Sequence, residues 1–226
     1  MNRRIFSVLA VALLAGCAAT KSGDAEDIRF AGFLSSYSGL VKTDDSDMAA
    51  FRYVKPSMEL SSYNGILLEK SEARMTAEAL QSVGEEDMAY VLGAFDEAFR
   101  TELAKKYRLV NADGPGVLRI RACLTDADSA TGALTPFSRL LPVGIVLSTT
   151  KKVATGTAIN VGKVTAEMEL IDSATGEQLA AAVDRRIGTG VARNMLTDWG
   201  DVKDVFDTWA ERMSEWLEKQ NMPRVK

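Results

Sequence analysis

Two stretches of this chain alternate, residue by residue, between apolar and polar side chains, and this period of two restricts the possible fold more than any other feature. In residues 116–125, Leu118, Ile120, Ala122 and Leu124 take one face, with Arg119, Arg121 and Cys123 on the other. In residues 163–172, Val164, Ala166, Met168 and Leu170 alternate with Lys163, Thr165, Glu167 and Glu169. Successive side chains of a strand point to opposite sides of its sheet, so both segments are expected to be strands with one covered and one wetter face. After Ser173-Ala174-Thr175-Gly176 the apolar face resumes at Leu179, Ala181 and Val183. Strand, glycine-containing turn and strand make a hairpin.

The covered face needs partners, and two helical stripes supply them. In residues 85–106, Met88, Val91, Leu92, Phe95, Phe99 and Leu103 recur at spacings of three and four. Glu85, Glu86 and Asp87 open this helix and Lys105 and Lys106 close it, as the helix dipole favours. In residues 201–221, Val202, Val205, Phe206, Trp209, Met213, Trp216 and Leu217 form the second stripe, which Pro223 stops. Residues 64–69 are a further strand candidate, and residues 52–56 are extended because the residue before a proline is pushed away from the helical region. Residues 28–40 read as a docked segment with one helical turn, and residues 71–83 as a short, weakly amphipathic helix. The fold expected is α/β, of the α+β type: a mainly antiparallel sheet of about four to five strands with two long helices packed on one face.

The N-terminus is built differently. Met1-Asn2-Arg3-Arg4 is a short cationic start, followed by an apolar run over residues 5–14 and the string Leu14-Ala15-Gly16-Cys17. A bilayer core of about 30 Å needs roughly 20 apolar residues, so this run is too short to span it and reads as a cleaved export signal. Leu-Ala-Gly-Cys resembles the lipobox of bacterial lipoproteins, where the peptidase cuts before a cysteine already alkylated with diacylglycerol. Residues 1–16 are thus expected to be signal peptide, Cys17 the lipidation site, residues 17–27 a tether and residues 28–226 a single α/β domain. Two or three acyl chains, at about 0.8 kcal/mol per buried methylene, anchor permanently where one is marginal. Ala18 in place of an Asp, by resemblance to the enterobacterial sorting rule, favours the periplasmic face of the outer membrane. The polar run 18–27 reaches roughly 35 Å at most, which keeps the domain near its membrane.

Losing residues 1–16 removes two of the 27 Lys and Arg residues and none of the 31 acids, so the net charge moves from −4 to −6. Nucleic acid is not an expected partner of so acidic a chain. With Cys17 lipidated, Cys123 has no partner, and the exported domain folds without a disulfide of its own.

What is missing limits the chemistry. There are no histidines, which removes Ser-His and Cys-His dyads, the usual zinc ligand sets and the commonest general base near neutral pH. No Gly-x-Ser-x-Gly elbow is present. Residues 156–164 imitate a phosphate loop through Gly162-Lys163, but five residues separate the glycines and Val164 stands where Ser or Thr is required. No cofactor or metal site is expected, and no enzymatic activity. Glu167 and Glu169 are the best-placed carboxylate pair. They read as a solvated face salt-bridged to Arg119 and Arg121 across a strand pair, with an acid–base pair as the alternative. Cys123 reads as a small, partly covered residue, with a thiol activated by nearby cations as the alternative. Asp184-Arg185-Arg186 reads as a charged strand end. Residues 136–148 hold an apolar run, Phe137, Leu140, Leu141, Val143, Ile145 and Val146, interrupted by Pro142 and Gly144. It either packs under the sheet or stays exposed as a partner surface.

Several short motifs, in order, resemble a family of proteobacterial lipoproteins catalogued as domain of unknown function 3313. They are Gly32-Phe33-Leu34-Ser35-Ser36-Tyr37-Ser38-Gly39-Leu40, then Arg52-Tyr53-Val54 with Pro56, Tyr63, Asp172-Ser-Ala-Thr175-Gly176-Glu177 with Asp184, and Trp199-Gly200-Asp201-Val202 leading to Trp209-Ala210. The resemblance implies a cell-envelope lipoprotein and brings no catalytic residues with it. The order of elements also looks like the α/β domains of envelope accessory lipoproteins, such as activators of penicillin-binding proteins and the curli secretion lipoprotein, a likeness of fold only. The function expected is a membrane-anchored, non-catalytic binding or assembly accessory that meets an envelope protein or itself. The alternative is small-ligand binding or carboxylate-based catalysis, in a pocket where Tyr37, Tyr53 or Tyr63 converge with acids or arginines.

Overall fold

The alternating segments become the middle of one mixed sheet. The computed structural model describes residues 20–22, 28–75, 85–125, 163–188 and 200–225. Their elements are β1 (Thr20–Ser22), β2 (Val41–Lys42), β3 (Phe51–Val54), β4 (Gly65–Leu68), β5 (Glu72–Arg74), α1 (Glu85–Ala104), β6 (Leu109–Val110), β7 (Val117–Thr125), β8 (Lys163–Asp172), β9 (Gln178–Gly188) and α2 (Gly200–Lys219). The nine strands run in the order β2-β3-β9-β8-β7-β4-β6, with β1 extending the β9 edge and β5 pairing with β7.

This corrects the expected architecture. Among the described residues the sheet has nine strands rather than four or five, and it is mixed. β4 runs parallel to both β6 and β7, and β5 parallel to β7. The broad class is α+β. The reason is local: β1, β2, β5 and β6 have two or three residues each, too few to display a period of two. β4, Gly-Ile-Leu-Leu, is a short apolar run without alternation, as parallel strands commonly are. Residues 72–74, expected in a helix, are β5 instead, because Glu72, Ala73 and Arg74 pair with Cys123, Leu124 and Thr125.

The one-dry, one-wet picture of the central strands is corrected as well. On one side, Leu118, Ile120 and Leu124 of β7 and Met168 and Leu170 of β8 pack beneath α1 and α2. There Phe95 contacts Phe99, Phe206 and Trp209 at ring centroid separations of 4.6, 5.2 and 6.3 Å. On the other side a second core forms from Phe33, Leu34, Cys123, Ala181 and Val183. Residues 28–40 therefore act as a strap across the face expected to be wet.

The helix ends follow from their caps. α1 stops at Ala104, before Lys105 and Lys106, which bond to Glu102 and, at 3.0 Å, to Glu218. α2 closes in a Schellman motif: Met222 N–H donates to the Leu217 carbonyl at 3.1 Å and Asn221 N–H to that of Glu218 at 3.0 Å. Asn221 takes the left-handed conformation, φ 58°, that this cap requires.

Candidate functional site

The strap is held by two carboxylates. Glu167 and Glu169 project from β8 on the same side, and neither has any exposed surface. Glu167 accepts the Ala31 N–H at 2.5 Å, the Phe33 N–H at 3.3 Å and the Tyr37 hydroxyl at 2.5 Å. Glu169 accepts the Ser35 N–H at 2.8 Å and its hydroxyl at 3.1 Å, Arg121 at 2.7 Å and the Gln178 amide at 2.8 Å. A buried carboxylate is tolerable only with such a full set of donors. Around this latch Phe30 stacks on Tyr37 at 4.9 Å, and the guanidinium groups of Arg74 and Arg121 lie over the Phe33 ring at 5.2 and 4.8 Å. Gly39, at φ 83°, lets the strap turn directly over the Tyr53 ring, where a Cβ would stand 3.0 Å from its nearest atom. Burial, then the bond to Glu167, raises the Tyr37 hydroxyl to about 12.

These distances settle several expectations. Glu167 and Glu169 do share a face, and Glu169 lies opposite Arg121 and pairs with it. The face is not solvated, however. Arg119 lies opposite Ile171 and turns to Asp113 and Glu69 instead. Cys123 is wholly buried under the strap, and burial together with the nearby Glu167 charge pushes its thiol well up, the reverse of activation. Tyr63 donates to Asp172 at 2.6 Å, and that same carboxylate accepts the N–H groups of Ala174 and Thr175 in the β8–β9 turn. Tyr37 and Tyr53 both pack against the second core and Tyr63 belongs to the first; Tyr53 also lines a groove that holds Asp47, Asp184, Arg52, Arg186 and Arg212. Cys17 and the run Phe137, Leu140, Leu141, Val143, Ile145 and Val146 lie outside the described residues.

A second constellation was not anticipated as a unit. Asp184, Arg185 and Arg186, read as a charged strand end, are all buried. Asp184 accepts Arg186 Nε at 2.6 Å, Trp209 Nε1 at 2.8 Å and the Ala50 N–H at 3.2 Å. Arg186 then donates to the carbonyls of Ser46 and Met48 at 2.9 and 3.1 Å. This network forms the end wall of a groove of about 180 Å³ between α2 and the β3–β9 edge, floored by Met168, Leu170, Ala180 and Ala182 and flanked by Met213 and Trp216. The available signal was the pair of small residues on one face of β9, Ala180 and Ala182, which cannot fill the space beneath a helix. Among the described residues no group of three or more Cys, Asp or Glu side chains is arranged to hold a metal ion.

The strap, the β8–β9 turn and the Asp184–Trp209 pair are all built from the residues that carried the family resemblance. The family model described as Protein of unknown function (DUF3313) matches residues 29–213. The chain belongs to this family. No curated protein matches the DUF3313 chain in sequence. Among solved structures it is similar to a PelC dodecamer from Paraburkholderia phytofirmans in two crystal forms. Identity is 9%, over 72% of this chain and 94% of that one, with TM-scores of 0.39 and 0.36. It is also similar to protein XCC0632 from Xanthomonas campestris, of the DUF330 family, at 8% identity over 74% of this chain and 91% of that one, with a TM-score of 0.37.

Proposed function

We propose that this DUF3313 protein is a lipid-anchored periplasmic protein, held through Cys17 at the outer membrane, and that it serves the envelope as a non-catalytic binding or assembly accessory. The observation that supports it best is how the chain after Cys17 is fastened. β1 pairs with β9, Thr20 opposite Gly188, and the strap that follows is pinned by Glu167 and Glu169. Only Ala18 and Ala19 separate Cys17 from β1, so a lipid on Cys17 would enter the bilayer within about 10 Å of the sheet. The carboxylates that a catalytic reading would use are already saturated by strap donors, which favours a structural role for them. The segment 126–162 leaves β7 and enters β8 at this same end, since Thr125 faces Thr165 and Lys163 faces Ile187. The apolar residues of that segment, Phe137 to Val146, are the partner surface of this reading.

The test is fractionation of the full chain from a diderm host, with mass analysis of its N-terminal peptide. A diacylated or triacylated Cys17, lost with release from membranes in Cys17→Ala, is the expected result. An unmodified N-terminus that still starts at Met1 would overturn the anchor. Crosslinking in intact cells then reads the accessory role, with a capture dependent on residues 137–146 expected and a strictly monomeric protein in membranes counting against it.

A further inference from the structure

We propose that the groove between α2 and β3 binds a single-chain fatty acid, its carboxylate at Arg52 and Arg212 and its alkyl chain along Trp209, Met213 and Trp216. The shape comes from an incomplete cover. α2 packs against α1 and β9, but among the described residues no helix packs on the helix side of β3, where Arg52 and Val54 sit opposite Ala182 and Ala180. Val54 is 41% exposed there. Met213 and Trp216, although on the apolar stripe of α2, stay half-buried because they overhang this gap. From Trp209 to Lys219 the wall runs about 15 Å at the rise of an α-helix.

The floor selects the kind of occupant. Its polar atoms are committed: Asp184 to Arg186, Trp209 and the Ala50 N–H, and Arg186 to two carbonyls. A peptide laid in the groove would leave its own N–H and C=O groups without partners on that floor, whereas an alkyl chain leaves none. Aromatic and thioether walls adapt well to such a chain.

The rim selects the head group. Arg52 donates to the Met48 sulfur and, among the described residues, has no carboxylate within ion-pair range. Arg212 is half-buried beside Arg186. Its nearest acid, Asp47, is 3.3 Å away with its side chain 88% exposed. Burial, then the Arg186 charge, holds the Arg212 guanidinium below its ordinary value, against the opposing pull of Asp184, Asp47 and Glu215. Both arginines reach the loop around residues 46–48, so they meet at one end of the groove. With Arg52, Arg212 and Lys219 set against Asp47 and Glu215, and Asp184 paired with Arg186, the groove keeps an excess of positive charge in a chain of net charge −4, which favours an anion locally.

The site is independent of the anchor, and Cys17→Ala should leave it unchanged. The full chain, held in amphipol, is titrated with brominated dodecanoate, which quenches tryptophan on contact. Saturable quenching is expected, weakened roughly tenfold in Arg52→Glu and in Arg212→Gln, and abolished in Ala182→Leu, with melting temperatures unchanged in Arg52→Glu. Dodecanol, with the same chain and no charge, should compete poorly. Absence of saturable quenching overturns the proposal, as does quenching that is equal in all three variants. A concentration-dependent dimer dissolved by Ala182→Leu would assign the groove to a second copy and overturn it too.

Discussion

Glu167 shows how a charged side chain can serve as a core residue. It accepts three strap donors while fully shielded from water, so its loss would strand the Ala31 N–H and the Tyr37 hydroxyl, while the Phe33 N–H keeps the Tyr37 oxygen at 2.7 Å. Glu167→Gln keeps the shape but halves the acceptor capacity, and should destabilise by about 2–4 kcal/mol in urea titration. Tyr37 gives the matching pH signature. Its folded value, about 12, lies above the ordinary 10.0. Its contribution is therefore complete below 10 and lost as the pH rises toward 12. Tyrosinate absorbance should show a late-titrating tyrosine in the native protein, shifted back toward 10 in Glu167→Gln. Much of this was legible. Alternation put Glu167 and Glu169 on one face, and the pairing of Arg121 with Glu169 follows from register. Their burial was not legible, because three of the donors that make it possible are the backbone N–H groups of Ala31, Phe33 and Ser35, which any residue but proline would offer.

At the scale of elements, helices declared themselves and short strands did not. Six apolar side chains at helical spacing identify α1, and Phe95, 1% exposed, is its centre. Phe95→Ala should cost about 3–5 kcal/mol, read as a fall in the denaturation midpoint, since it vacates contacts with Phe99, Phe206 and Trp209 together. The strap is the opposite case: it carries almost no regular structure and is defined by what it covers. Cys123 beneath it reports on its position. The native thiol should resist a thiol reagent, and Ala31→Pro, which removes one of the N–H groups bound to Glu167, should speed labelling well before global unfolding. Labelling at an unchanged rate would mean that the strap does not depend on this bond. Strands of two or three residues become strands only because β7 and β9 are already there to pair with them, and no local pattern announces that.

For the whole molecule, β9 is the junction. It pairs with β1, β3 and β8, and its Asp184 ties α2 to the loop before β3. Its pairing with β8 was readable because only the Ser173-Ala174-Thr175-Gly176-Glu177 turn intervenes. Its pairings with β1 and β3 span well over a hundred residues of sequence, beyond the reach of any local periodicity. That arrangement also sets an order in time. Contacts so distant along the chain are slow to form, because loop closure must precede any gain from them. As the chain is made or exported from its N-terminus, β1, the strap and β3 emerge first, yet each has to wait for β8 and β9 before it has a place to bind. The residues that appear earliest are the last to settle, and until they do, the underside of the sheet is open and Glu167 and Glu169 have no strap to hold.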